Sequence, residues 1–392
     1  MDFVRRNIPV LVFFAAAVVA FAFIHDNVGQ QAVSPRPQPQ PHVSDIHINQ
    51  PPADLKSMRV PEMVKGIYLT GYTAGGQRFY QLLDLINRTE LNAVVIDTKN
   101  DSGIVTYESK NETARFVGAN RIIQIKDMEK RLAELKENNV YAIARIVAFK
   151  DTLAGSMRPD LAVKTTSGTI WRDNAGNAWL NPYNRESWEY ILEIAQETAA
   201  LGFDEIQFDY VRFPTDGNRK IIDYGEAGDK ETMSQAICGF LEYATEKLNS
   251  MGVYVSADIF GQVTTNTDDM GLGQQLEDLT VSTNILSPMV YPSHYYPGVY
   301  GVSYPDFEPY KIVLTSIGRA QKRIEKLNHS EEKAVLRPWL QDFTASYLRQ
   351  GYQVYGPKQV REQIQAVYDS GVGQWLLWNA GNYYTEGALL KE

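Results

Sequence analysis

Gly202-Phe203-Asp204-Glu205-Ile206-Gln207-Phe208-Asp209-Tyr210-Val211-Arg212-Phe213-Pro214 is the stretch from which the fold can be read. Its opening glycine follows a helical pattern over 185–201 and supplies the left-handed residue on which a helix stops. The alternation after it has the two-residue period of a β-strand. Glu205, Gln207 and Asp209 share one face, and Ile206, Phe208 and Tyr210 share the other. The apolar face needs helices to cover it, so the polar face points into the interior of a closed sheet. Asp209 then stands at the upper rim, with Arg212 just beyond it.

Working outward, the same unit recurs. Strand patterns fall at 64–70, 93–98, 140–147, 205–210, 253–259, 285–291, 334–340 and 374–378. Helical patterns lie between them, among them 79–88, 125–138, 185–201, 231–251 and 358–370. Met251-Gly252-Val253 and Ser370-Gly371-Val372 repeat the glycine stop before a strand. Strict alternation of strand and helix implies parallel neighbours joined by crossovers. Eight repeats predict an α/β fold, a (β/α)8 TIM barrel. An open doubly wound sheet is the rival, but no Gly-x-Gly-x-x-Gly turn follows the first strand.

The chain has 392 residues and a net charge of −9, which disfavours a nucleic-acid partner. Arg5 and Arg6 precede an apolar run over 8–24. At ~1.5 Å per residue this run nearly crosses a ~30 Å hydrocarbon layer. Residues 1–29 are therefore expected to be a transmembrane anchor, or a signal segment if the chain is cleaved near Ala20-Phe21-Ala22. Residues 30–60, with Pro35, Pro37, Pro39 and Pro41, read as a Pro/Gln-rich linker. Residues 61–392 are the expected barrel. It would lie outside the cytoplasm, on a cell membrane if anchored and secreted if not. The single cysteine, Cys238, sits in a helical pattern and excludes an internal disulfide.

In this fold chemistry gathers at the C-terminal ends of the strands. Tyr254, Ser256 and Asp258 share a face of the fifth strand, so Asp258 reaches the same rim as Asp209. Neighbouring strands lie ~4.8 Å apart, close enough for two-carboxylate chemistry. Asp209 and Asp258 are the expected catalytic pair. The rim also carries Asp97, Lys99, Asp101, Arg212, Tyr291, His294, Asp342 and Asn379 as candidate substrate-binding groups. Arg145, alternating with Ile143 and Val147, is expected to neutralise buried carboxylates and tune their pKa.

Aromatic rings pack on the apolar faces of sugars, and the chain has 23 Tyr and 6 Trp. Trp171 and Trp179 in the segment after the third strand, Trp339 on the seventh and Trp378 ending the eighth are the candidate platforms, whereas Trp188 and Trp375 read as core. Of five His, His25, His42 and His47 precede the barrel, and no His-Glu-x-x-His or paired-Cys motif occurs. No metal or other cofactor is expected. No Gly-x-Ser-x-Gly elbow is present.

Val64-Lys65-Gly66-Ile67-Tyr68-Leu69-Thr70, Val94-Val95-Ile96-Asp97-Thr98-Lys99 and Phe208-Asp209-Tyr210-Val211-Arg212-Phe213-Pro214 resemble a domain family called DUF4015, assigned to the glycoside hydrolases. Ser287-Pro288-Met289-Val290-Tyr291-Pro292-Ser293-His294-Tyr295 and Leu336-Arg337-Pro338-Trp339-Leu340-Gln341-Asp342-Phe343 carry the same resemblance. It spans roughly 64–384. The family is distantly similar to α-amylase-type barrels, where an Asp ending strand four is the nucleophile and a Glu ending strand five the acid/base. Asp209 matches the first position; Asp258 falls at the second but is Asp. The resemblance implies a glycosidase and names no substrate.

The expected function is hydrolysis of an extracellular or cell-envelope polysaccharide by a two-carboxylate mechanism, with the glycan and, through residues 8–24, the membrane as partners. A catalytically inactive glycan-binding barrel, a lyase and a deacetylase are the alternatives.

Overall fold

The computed structural model describes residues 63–327 and 333–391. Eight parallel staves close on themselves. They are β1 (Lys65–Leu69), β2 (Ala93–Lys99), β3 (Tyr141–Val147), β4 (Glu205–Asp209), β5 (Tyr254–Phe260), β6 (Ile285–Met289), β7 in two pieces (Val335–Leu336 and Trp339–Gln341), and β8 (Trp375–Trp378). Each pairs in parallel with its neighbours in sequence. β8 closes the ring on β1 through Lys65 opposite Trp375. β7 is split because Pro338 has no N–H to give the ladder; the ring stays closed through Trp339 opposite Met289. This is the (β/α)8 barrel.

Helices at Arg78–Asn87, Met128–Glu137, Arg185–Ala200, Met233–Ser250, Leu276–Ser282, Pro309–Glu325 and Pro357–Asp369 follow the first seven staves. After β8 the described residues form a one-turn 3-10 helix, Glu386–Ala388. The C-terminal strip then returns under the barrel, where Leu390 exchanges backbone and side-chain hydrogen bonds with Glu90. The three anticipated glycine stops all have positive φ: 110° at Gly202, 78° at Gly252 and 85° at Gly371. Cys238 is buried in the helix Met233–Ser250. The expected anchor (1–29) and linker (30–60) lie outside the described residues. Among the described residues no helix is long and apolar enough to cross a membrane.

Alternation sorts the staves into two cores. Ile67, Val94, Ile96, Ile206, Phe208, Val255 and Ile259 face the helices in one large cluster. Val64, Tyr68, Val95, Tyr141, Ile143, Tyr291, Trp339 and Leu376 fill the barrel. At the barrel floor Glu205 is fully buried and receives Arg337 Nη1 on both oxygens, at 2.9 and 3.0 Å. Tyr141 and Ser256 donate to the same carboxylate. A buried ion pair broken on one side leaves an uncompensated charge. Arg337→Met is therefore expected to cost about 3–5 kcal/mol in denaturant unfolding. A change below about 1 kcal/mol, the range of surface pairs, would contradict this account of the floor.

Candidate active site

Asp209 and Asp258 occupy adjacent positions at the rim. The β4–β5 register pairs Gln207 with Ser256 and Phe208 with Ala257, and the next residue on each strand is the carboxylate. Both are buried, 7% and 2% exposed. Below them the barrel is polar, with Gln207 Nε2 donating to Ser287 Oγ at 3.3 Å. Beyond Asp209 the chain turns at once, because Tyr210 has φ of +49°.

Their surroundings differ. Asp209 Oδ2 accepts from Arg145 Nε at 3.0 Å and Nη2 at 2.5 Å, and its Oδ1 accepts from the Tyr210 N–H at 2.5 Å. These are three N–H donors, two of them on a cation, so the bonds from Arg145 are charge-assisted. Arg145 spans the site, since its Nη1 also donates to Asp97 Oδ1 at 2.6 Å. Burial alone would weaken its charge, but Asp97 and Asp209 hold its pKa well above the usual value. Asp97 in turn accepts from the Tyr68 hydroxyl at 2.5 Å. Burial raises the Asp97 carboxyl, against the pull of Arg145 and Tyr68.

Among the described residues no cation contacts the Asp258 carboxyl, and the one hydrogen bond to that carboxyl comes from Trp339 Nε1 to Oδ1, at 2.7 Å. Burial, and then the negative charge of Asp209, push its carboxyl well above the ordinary range; Arg145 and the Trp339 bond oppose this without cancelling it. One carboxylate gripped by a guanidinium beside one pushed towards its acid form is an arrangement that divides roles in acid/base chemistry. Tyr291 lies beside both, its hydroxyl pKa raised by burial and by the charges of Asp258 and Asp209.

Several expected roles need correction. Lys99 does not reach the mouth. A register shift between Asp97 and Lys99 turns it to the helix side, where its fully buried Nζ meets Val147 O at 2.7 Å and Asp151 at 2.9 Å. Trp171 is 1% exposed, with Nε1 on Asn218 O, and is packed as core. Trp179 is buried too; its ring meets Tyr210 edge-on at 5.8 Å and its Nε1 donates to Asp173. Trp339 is no platform, but a buried donor to Asp258. Asp342 gives both oxygens to Thr385, and Asn379 spends its amide on Asp342 O, Tyr383 O and Gly381 N, so these two fix the loop after β8.

The remaining candidates stay at the mouth. Trp378 is half-buried, stacked on Tyr68 at 4.1 Å. His294 is exposed, its ring edge-on to Tyr291 at 5.1 Å and near Phe343 at 6.3 Å. Asp101 is exposed and lies 3.4 Å from Lys150 Nζ. Arg212 is buried beside Trp179 and Tyr210. Tyr68 was missed as a site residue, although its inward place on the first strand was legible from alternation. Among the described residues no cluster of His, Cys, Asp and Glu has the form of a metal site. Two surface concavities, of about 530 and 340 Å3, lie away from this mouth, one along Arg78–Arg88 and one near Asn139 and Asp204.

Residues 66–384 match the family described as "Putative glycosyl hydrolase domain", DUF4015. A hypothetical protein from Ruminiclostridium thermocellum is 44% identical over 49% of this chain and 96% of its own, with a TM-score of 0.44. The PgaB (BpsB) glycoside hydrolase domain from Bordetella bronchiseptica is 13% identical over 81% of this chain and 94% of its own, with a TM-score of 0.57. The α-galactosidase TtGalA from Thermus thermophilus is 13% identical over 85% of this chain and 60% of its own, with a TM-score of 0.51. At 13% identity the last two likenesses concern the fold alone. No curated protein matches the sequence.

Proposed function

The chain belongs to the DUF4015 glycosyl hydrolase domain family, and from that premise we propose that it cleaves a polysaccharide of the cell envelope or extracellular space with Asp209 and Asp258. The supporting observation is the adjacent pair of rim carboxylates with opposite surroundings, one held by Arg145 and one buried against an indole. Asp258, keeping its proton, gives it to the departing glycosidic oxygen. Asp209 attacks the anomeric carbon with the Oδ1 lone pair that Tyr210 leaves free. Asp258, now a carboxylate, then takes a proton from the water that releases the sugar.

Neighbouring strands lie about 4.8 Å apart, and carboxyl groups held at that separation act by retention rather than inversion; retention is part of the proposal. Arg145 orients Asp209, and Asp97 and Tyr68 orient Arg145. Trp378 and His294 offer surfaces for the sugar rings. Asp258 is one methylene shorter than the Glu of α-amylase-type barrels, so the leaving oxygen must come closer to β5. Arg5, Arg6 and the apolar run 8–24 support a site outside the cytoplasm, held at a membrane by residues 1–29 and spaced from it by 30–60.

The test is incubation of the full chain with a panel of envelope and extracellular polysaccharides, reading new reducing ends. Release from at least one glycan is expected. Retention of glycan with no new ends, unaltered by replacing both aspartates, would instead support a binding barrel.

A further inference from the structure

Arg212 is a buried cation without an ion pair. The side chain is 6% exposed, and no carboxylate among the described residues lies within ion-pair distance. Nη1 donates to Phe213 O at 3.0 Å and Thr215 Oγ1 at 3.3 Å, while Nε and Nη2 find no acceptor among the described residues. The acidic groups nearby are engaged elsewhere. Asp209 holds Arg145, Asp173 holds Trp179 and Asn177, and Asp216 holds Asn174 and Gly217. Buried charges are ordinarily paired, because desolvation is otherwise uncompensated. Burial accordingly lowers the guanidinium pKa.

A second cation stands on the same ring. Lys150 Nζ lies 4.6 Å from the centre of Tyr210 and Arg212 Cζ lies 5.1 Å from it. Among the described residues Lys150 contacts one carboxylate, that of the exposed Asp101, at 3.4 Å. Trp179 walls the cradle beneath Arg212 at 5.2 Å. Tyr210, whose left-handed backbone holds it there, follows Asp209 directly.

We propose that Lys150 and Arg212 form an anion subsite beside Asp209 that takes the carboxylate of an acidic sugar in the substrate. The inference rests on reading the mouth as a glycan site. The unused Nε and Nη2 form the edge of the guanidinium that meets a carboxylate with two parallel hydrogen bonds. The half-buried Tyr210 ring offers a face for the sugar that bears it. A phosphodiester glycan presents the same oxyanion chemistry, and the experiment separates the two.

Affinity electrophoresis of the full chain carrying Asp209→Asn, so that polymer is not consumed, uses three probes: polygalacturonate, its carboxyl-reduced form and polyglycerol phosphate. Polygalacturonate is expected to retard the chain most. Lys150→Gln and Arg212→Lys should each weaken that retardation about tenfold or more, leaving the neutral polymer's effect and the melting temperature unchanged. Lys150→Gln keeps the test decisive should changes at buried Arg212 disturb folding. Equal retardation by acidic and neutral polymers, indifferent to both variants, overturns the subsite while leaving the glycan reading intact. Retardation by none of the three overturns both. Preference for polyglycerol phosphate overturns the carboxylate assignment in favour of phosphate.

Discussion

Asp209→Asn is expected to lower the rate of glycoside cleavage by roughly 10⁴-fold or more, since it removes the nucleophile but keeps its shape. The amide cannot form the glycosyl ester, while its oxygen can still accept from the Tyr210 N–H. Arg145 keeps its bond to Asp97, so the mouth should stay assembled and glycan binding should persist. Initial rates of reducing-end release, with melting curves to confirm folding, provide the check. Activity within tenfold of the native chain would remove Asp209 from the chemistry.

Asp258→Asn is expected to lose about 10²- to 10⁴-fold, the range for removal of a general acid, and to reveal the pH dependence of the site. The Asp258 pKa lies well above its ordinary value because of burial and the Asp209 charge. Activity should therefore fall on the alkaline side, as pH rises through that raised value and the proton is lost. Stability follows the same sign. A carboxyl whose folded pKa exceeds its unfolded one contributes stability that is complete below the unfolded value, near 4, and is lost as pH rises through the folded value. Asp258→Asn has no proton to lose, so its melting temperature should gain on the native chain as pH is raised from acid to neutral. A constant difference across that range would mean that the folded and unfolded chains hold the Asp258 proton equally, and would contradict a raised carboxyl. Trp339→Phe removes the one hydrogen bond that favours the anion, and should move the alkaline limb of the rate profile to higher pH.

The barrel was legible because its signals are local. Glycine stops, two-residue alternation and helical periodicity each fix a short segment, and eight repeats leave few ways to close them. The inward face of β4 was readable for the same reason. The fate of rim residues was not, because it depends on contacts distant in sequence. Lys99 reads as an inward residue from alternation, and a single register shift sends it to Asp151. Trp171 lies in a Gly- and Asn-rich segment typical of an exposed loop, yet that segment folds back and buries it against Asn218. Trp339 reads as a sugar platform by type, and only the three-dimensional meeting of β5 and β7 shows its indole N–H on Asp258. The path of the chain after β8 depends on tertiary contacts as well: the C-terminal strip is held by Glu90, which Lys65 and Arg361 also grip.

In the proposed chemistry Asp209 acts as a covalent nucleophile within a pair that divides the work. Azide rescue examines that directly. With an activated glycoside of the cleaved sugar, Asp209→Ala in sodium azide should regain turnover and yield a glycosyl azide of inverted anomeric configuration, because azide enters where the carboxylate stood. Rescue confined to Asp258→Ala, or an azide of retained configuration from Asp209→Ala, would contradict it.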